Sequence, residues 1–181
     1  MLRLEGDRIL LRDFATQDRE AFCALEFDEA MFTYTKGRID RASAESFQLP
    51  LFLEEPLLHP RPSYSLVIED EEGFSGWAGI DGIEGTDSAQ LGWYLRSDRW
   101  GRGYATEATR VLLGFGFSEL HRASMWATAD PENLASVRVL DKSGFTNRGL
   151  TDPVKTWRGL RSRVLFTIDA KQWATRSDRP G

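Results

Sequence analysis

From Trp93 to Ala108 the chain reads Trp-Tyr-Leu-Arg-Ser-Asp-Arg-Trp-Gly-Arg-Gly-Tyr-Ala-Thr-Glu-Ala. Gly101 and Gly103 stand where an apolar, strand-like run gives way to helical spacing. Glycine lets main-chain N–H groups approach a ligand closely. A helix start adds unpaired N–H donors and a partial positive charge. Together they form an anion site that suits a pyrophosphate. Arg96, Arg99 and Arg102 add positive charge to a chain whose formal charge is −5. By itself the segment also reads as a plain tight turn, and Arg96 and Arg99 as solvated side chains. A dinucleotide fingerprint would need a third glycine where Thr106 stands, and a P-loop would need Gly-Lys-Ser/Thr.

Other reactive residue types are sparse. Cys23 is the single cysteine, so no intrachain disulfide forms, and Ala21-Phe22-Cys23-Ala24-Leu25 marks it as a buried hydrophobe. His59 and His121 are far apart, which leaves no metal-ligand spacing. The acidic balance argues against a nucleic-acid partner, and no apolar run approaches the ~20 residues of a membrane span. With no apolar leader at the N-terminus, a cytoplasmic location is expected.

The elements that must position the loop follow from periodicity. Ile9 to Leu11 reads as a first strand, and Thr16 to Leu25 as a helix with acids in its first turn. A second helix is expected from Ala42 to Leu53, broken near Pro50. Tyr64–Ile68, Phe74–Ile80 and Gln90–Leu95 read as three strands of an antiparallel meander. Apolar spacing from Thr106 to Leu120 gives a third helix, with Glu107 a favourable charge in its first turn. Ser124–Ala127 is a strand, and Pro131 to Lys142 a helix with Pro131 near its start and Gly144 past its end. Strands from Phe145 and over Val164–Ile168 complete an α/β fold: a mixed, mostly antiparallel central sheet of about seven strands flanked by about four helices. Residues 1–175 are expected to form one domain and 176–181 a frayed tail.

The chain resembles the GNAT acetyltransferases, in the branch of the RimJ/RimL ribosomal-protein N-acetyltransferases. The family's pyrophosphate loop, Gln/Arg-x-x-Gly-x-Gly/Ala, is matched at its Gly and Ala positions by Trp100-Gly101-Arg102-Gly103-Tyr104-Ala105, with Trp100 replacing the leading residue. A second match is Asn133-Leu-Ala-Ser136-Val-Arg138-Val-Leu140-Asp-Lys142-Ser-Gly144-Phe145. Arg8-Ile-Leu-Leu-Arg12 and Arg163-Val-Leu-Phe-Thr-Ile168, followed by Trp173, extend the likeness over nearly the whole chain.

The resemblance implies that acetyl-CoA donates its acetyl group directly to an amine, without an acyl-enzyme or a metal. The acceptor is a protein N-terminus or a small-molecule amine. Main-chain groups of Tyr94, Leu95 and Arg96 would pair with pantetheine and stabilise the oxyanion. The amides of Arg102, Gly103, Tyr104, Ala105 and Thr106 would hold the pyrophosphate. Asn133 would bond pantetheine or satisfy its own helix, and Ser136 would sit near the sulfur or simply pack. Arg138 and Lys142 would reach the 3′-phosphate or remain solvated. Many members place an acidic tyrosine where this chain has Leu140, so either Ser136 donates the proton, directly or through water, or the thiolate leaves without a dedicated acid. Glu84 is the leading candidate base, with Asp81, Glu26, Asp28 and Glu29 behind it; each also reads as a surface acid. Phe32, Tyr34 and Trp157 are expected to line the acceptor wall, although Trp157 also fits the sheet. The competing reading is an acyl-CoA sensor without turnover, and an exposed β edge would allow a homodimer.

Overall fold

The computed structural model describes residues 1–34, 43–82, 85–156 and 159–177. Strands β1 (Arg3–Glu5), β2 (Leu10–Asp13), β3 (Tyr64–Asp70), β4 (Gly73–Asp81), β5 (Ser88–Leu95), β6 (Ser124–Ala129), β7 (Thr146–Leu150) and β10 (Val164–Asp169) form one eight-stranded sheet. Its order is β1-β2-β3-β4-β5-β6-β10-β7. The short hairpin β8 (Val154–Thr156) and β9 (Gly159–Arg161) stands apart. Every pairing in the large sheet is antiparallel except β5 with β6. That parallel pair requires a crossover, which helix α3 (Tyr104–Ser118) supplies. The mixed, mostly antiparallel sheet matches the expectation. The added strand is β1, whose three residues are too few to show alternation.

Helices cover both faces. Tyr104, Ala108, Leu112, Leu113 and Gly116 of α3 are buried at helical spacing against Leu66, Ile68, Ile80, Leu91, Met125 and Phe166. Helix α4 (Leu134–Ser143) adds Leu140 to this core. On the other face, α1 (Arg19–Glu26) and α2 (Leu49–Glu54) enclose a second core of Phe14, Phe22, Cys23, Leu25, Leu49, Val67 and Phe74. Cys23 is fully buried, as its neighbours predict.

The helical run around Pro50 does not break. A π-helical turn over Ala44–Gln48 leads directly into α2, and Pro50 occupies its first turn. There a missing N–H costs little. Pro131 likewise precedes α4 instead of starting it. Asp130 Oδ1 accepts from the Glu132 N–H, and the Asp130 carbonyl from the Asn133 N–H, so Pro131 sits inside a turn. Gly144 ends α4 at φ 93°. A final helix, α5 (Ala170–Ser177), runs through the start of the segment expected to fray.

Arg12 of β2 places its guanidinium fork on both oxygens of Asp18, at 2.8 Å each, and its Nε on Glu69 at 2.7 Å. This buried pair joins β2 to the start of α1. The N-terminal motif is therefore structural at its second arginine.

Candidate active site

The sheet opens in its middle. β5 pairs with β6 only over Ser88–Gln90 and Ser124–Trp126. Beyond that point β4 holds β5 through Leu95, and β10 holds β6 through Ala129. The two strands part without either losing its outer neighbour, and a cleft of about 550 Å3 occupies the gap.

The Arg96 N–H donates to the Ser75 carbonyl at 3.0 Å. Antiparallel alternation from that bond turns the main-chain groups of Tyr94 and Arg96 towards β4, and those of Trp93 and Leu95 towards the gap. The Leu95 carbonyl accepts from the Trp100 indole at 2.9 Å. Of the three residues expected to offer an edge, Leu95 does so, Tyr94 and Arg96 do not, and Trp93 joins Leu95. Side-chain type carries no information about this alternation; the register does.

After β5 a 3-10 turn, Ser97–Arg99, leads to Gly101 at φ 75° and Gly103 at φ 87°. Gly103 is the N-cap of α3 and supplies no side-chain cap. The first intrahelical bond runs from the Glu107 N–H to the Gly103 carbonyl at 3.1 Å. The N–H groups of Tyr104, Ala105 and Thr106 thus have no helical acceptor, and this end of α3 lines the cleft.

The three arginines that looked like phosphate ligands have internal partners. Arg99 is 6% exposed and meets both Glu72 oxygens at 3.2 and 3.0 Å and Asp70 at 3.4 Å. Arg102 also binds Glu72, at 3.2 Å, and Arg96 binds Asp98 at 3.1 and 2.9 Å. Arg99 is accordingly not solvated but ties the loop to the β3–β4 turn, whereas Arg96 pairs with Asp98 of the loop itself and stays partly exposed. What the start of α3 turns to the cleft is main-chain N–H groups.

Across the gap, Asn133 is the N-cap of α4, its Oδ1 accepting from the Ser136 N–H at 3.0 Å. Its Nδ2 has no protein partner among the described residues, so one amide both caps the helix and can donate into the cleft. Asn133, Ser136, Arg138, Val139 and Lys142 line the cleft. Leu140 is fully buried in the core and faces away.

The sheet face under α1 and α2 forms the other wall. Tyr94 stacks on Trp77, ring centroids 4.6 Å apart, and the Trp77 indole donates to Glu26 at 3.4 Å. Burial pushes the Glu26 carboxyl above its ordinary range, and burial next to Glu26 raises the Tyr94 phenol. Asp81 and Gln90 are paired on this same face, as are Gly79 and Gly92. Gly92 leaves open space where a side chain would stand. Met31 and Tyr34 close this end, and Arg163 and Thr128 line it from β10 and β6. Asp28 is committed elsewhere: although partly desolvated, its carboxyl is held below the ordinary value by hydrogen bonds from Ser97 and Ala30. Glu29 is exposed. Glu84, Trp157 and the side chain of Phe32 lie outside the described residues. The sequence reading missed Trp77, Gly92, Arg163 and the side chain of Tyr94. Alternation along β5, with Gln90, Gly92 and Tyr94 opposite the apolar Leu91, Trp93 and Leu95, was the available signal.

Among the described residues no group of three His, Cys, Asp or Glu side chains could hold a metal, and no helix is long and apolar enough to cross a membrane.

Comparison with known proteins agrees with this geometry. The uncharacterized N-acetyltransferase p20 of Bacillus licheniformis is 23% identical over 96% of this chain and 99% of its own length. The uncharacterized protein YkkB of Bacillus subtilis is 32% identical over 79% of this chain and 84% of its own. Mycobacterium smegmatis RimJ, solved in complex with CoA-disulfide, superposes with a TM-score of 0.82 at 22% identity, covering 94% of this chain and 87% of that one. A GNAT-family acetyltransferase from Bacillus anthracis gives 0.81 at 21% identity, covering 94% and 99%. The family model for the acetyltransferase (GNAT) domain matches residues 8–146, and the chain belongs to that family of acetyltransferases.

Proposed function

We propose that this protein moves the acetyl group of acetyl-CoA directly to a primary amine, and that the acceptor enters over the face carrying Glu26 and Tyr94. One observation carries the reading. The β5–β6 gap joins an N–H-lined helix start to Tyr94, whose ring stacks on Trp77, the donor to the desolvated Glu26 carboxylate. Acetyl-CoA, when bound, supplies an activated acyl group and a thiol leaving group.

The residues fit such a donor. The N–H groups of Tyr104, Ala105 and Thr106 suit its pyrophosphate, and Asn133 Nδ2 and the Trp93–Leu95 edge suit the amide-bearing arm. The Leu95 N–H points into the gap and would stabilise a developing oxyanion. On the acceptor side the negative charge of Glu26 draws an ammonium towards Tyr94, and its raised basicity suits it to take the proton. Ser136, on the cofactor side, is the hydroxyl nearest in role to the absent acidic tyrosine, since Leu140 is a core residue. An α-amine of pKa ~7.8 is roughly a quarter neutral near pH 7.4, a lysine of ~10.4 only about 0.1%. Modest help of this kind serves an α-amine better, which favours RimJ/RimL-like chemistry on a protein N-terminus or a small amine.

The test is release of free thiol from acetyl-CoA with a panel of N-terminal peptides and small amines. Turnover on at least one amine is expected, with kcat lowered about 10²-fold or more by Glu26→Gln and by Ser136→Ala. Tight acetyl-CoA binding with no turnover on any amine would instead identify an acyl-CoA sensor.

A further inference from the structure

The transfer reading leaves one group on the acceptor wall without a role. Arg163 immediately precedes β10 and turns back to β6, donating from Nε to Thr128 Oγ1 at 3.0 Å and from Nη2 to the Thr128 carbonyl at 3.2 Å. Its Nη1 has no partner, and no carboxylate lies within 4.0 Å of the guanidinium, among the described residues. The other enclosed arginines differ. Arg12 meets Asp18 at 2.8 Å, Arg61 meets Asp13 at 2.8 Å, and Arg99 meets Glu72 at 3.0 Å.

Arg163 is half-buried and lines the cleft. Thr128 lies on the sheet face opposite the buried Ala127 and Ala129, which is the face of Tyr94. The pyrophosphate-binding start of α3 packs on the other face, so the phosphates of the donor are not its partner. Burial lowers the guanidinium pKa, and Asp130 and Tyr94 act on it from a distance. It still carries its charge at any physiological pH. A partly desolvated cation that lines a cleft with no carboxylate in contact is a receptor for an anion.

We infer that the acceptor carries a carboxylate close to its amine, and that Arg163 binds that carboxylate through Nη1 while the amine faces Glu26 and Tyr94. The inference rests on the acetyl-transfer reading. A carboxylate fits better than a phosphate because a single free guanidinium nitrogen is offered, and Glu26, Asp81 and Asp130 together would repel a dianion. The substrate class is thus an amino acid, or a short peptide with an acidic group near its amine.

Two measurements test this. In the first, amino acids are compared with their own carboxamides as acceptors. The carboxamide amine is less basic and more of it is neutral, so chemistry alone favours the carboxamide. The wild-type protein is expected to show kcat/KM at least tenfold higher for the acids. Arg163→Gln should abolish that difference through KM of the acid, and Arg163→Lys should restore part of it, with KM for acetyl-CoA unchanged in both. In the second, N-acetylated amino acids and their carboxamides are titrated calorimetrically into the CoA-saturated protein. Binding of the acids alone, lost in Arg163→Gln, supports the inference even without turnover. Equal use and equal binding of acids and carboxamides by the wild type would overturn it. Failure of every amine to release thiol, with the acids still binding selectively, would overturn the transfer reading and leave the anion site standing.

Discussion

Arg8 and Glu107, 99 residues apart, lock the N-terminal hairpin onto the helix that lines the cleft. Glu107 accepts from the Arg8 main-chain N–H at 2.6 Å, from Arg8 Nε at 3.0 Å and from Nη2 at 2.8 Å. The remaining Nη1 donates to the Arg102 carbonyl at 2.9 Å, inside the glycine loop, and the guanidinium lies 5.4 Å from the Tyr104 ring centroid. Glu107 is therefore more than a helix-start charge: through Arg8 it fixes the carbonyl direction, and so the N–H direction, of the loop.

Arg8→Met should loosen that loop without touching the acceptor wall. Because Arg8 is 56% exposed, the ion pair is worth only about 1 kcal/mol, roughly a fivefold change. KM for acetyl-CoA should rise by about that factor while kcat and the acceptor KM hold. Steady-state kinetics in both substrates decides; a fall in kcat alone would refute a positioning role.

Gly103→Val should do more. At φ 87° a β-branched residue is strained by about 1–3 kcal/mol, and its Cβ would stand 3.2 Å from Arg8 Nη2. CoA affinity by calorimetry should fall at least tenfold, and unchanged affinity would exclude this loop as the phosphate site.

Gly76 on β4 controls the gap from behind. A Cβ there would lie 2.1 Å from the Tyr94 carbonyl oxygen and 2.9 Å from Leu95 Cα, both main-chain atoms that cannot step aside. Gly76→Ala should cost about 2 kcal/mol or more, lowering Tm by at least about 4 °C for a domain of this size. Gly92→Val is the contrasting case. Its Cβ meets nothing within 4 Å, so Tm should hold while the acceptor KM rises and the acetyl-CoA KM does not.

Glu26 gives a pH signature. Burial raises its carboxyl above the ordinary 4.5. A raised pKa means that the folded state binds the proton more tightly than the unfolded chain. Stability is thus greatest below the ordinary value and is lost as pH rises through the raised one. Glu26→Gln removes that loss and can keep the Trp77 hydrogen bond. Its Tm should exceed that of the wild type at pH 7–8 and converge with it near pH 4, while activity falls. A lower Tm at neutral pH would show that the carboxylate is a structural ion and not a strained functional one.

The loop Gly101–Gly103, the helix it opens and the capping Asn133 were legible in the sequence. Each is a local matter: glycine at positive φ, apolar residues at helical spacing, an amide one turn from its N–H. The strands Tyr64–Asp70, Gly73–Asp81 and Ser88–Leu95 showed through alternation and turn residues for the same reason. Long-range pairing was not legible. No local feature announces that β10 enters between β6 and β7, that β5 and β6 part after three residues, or that Glu72 occupies both Arg99 and Arg102. Charge in the loop suggested phosphate ligands because a sequence displays cations without their partners. The acceptor wall brings Glu26, Trp77, Tyr94 and Arg163 together from four separate elements, and only the folded sheet makes them neighbours. The motifs of the chain thus sufficed for the family and for the glycine loop and cap that flank the cleft, whereas the register of β5 and the partners of the arginines, which depend on contacts between distant segments, decided which groups face the gap.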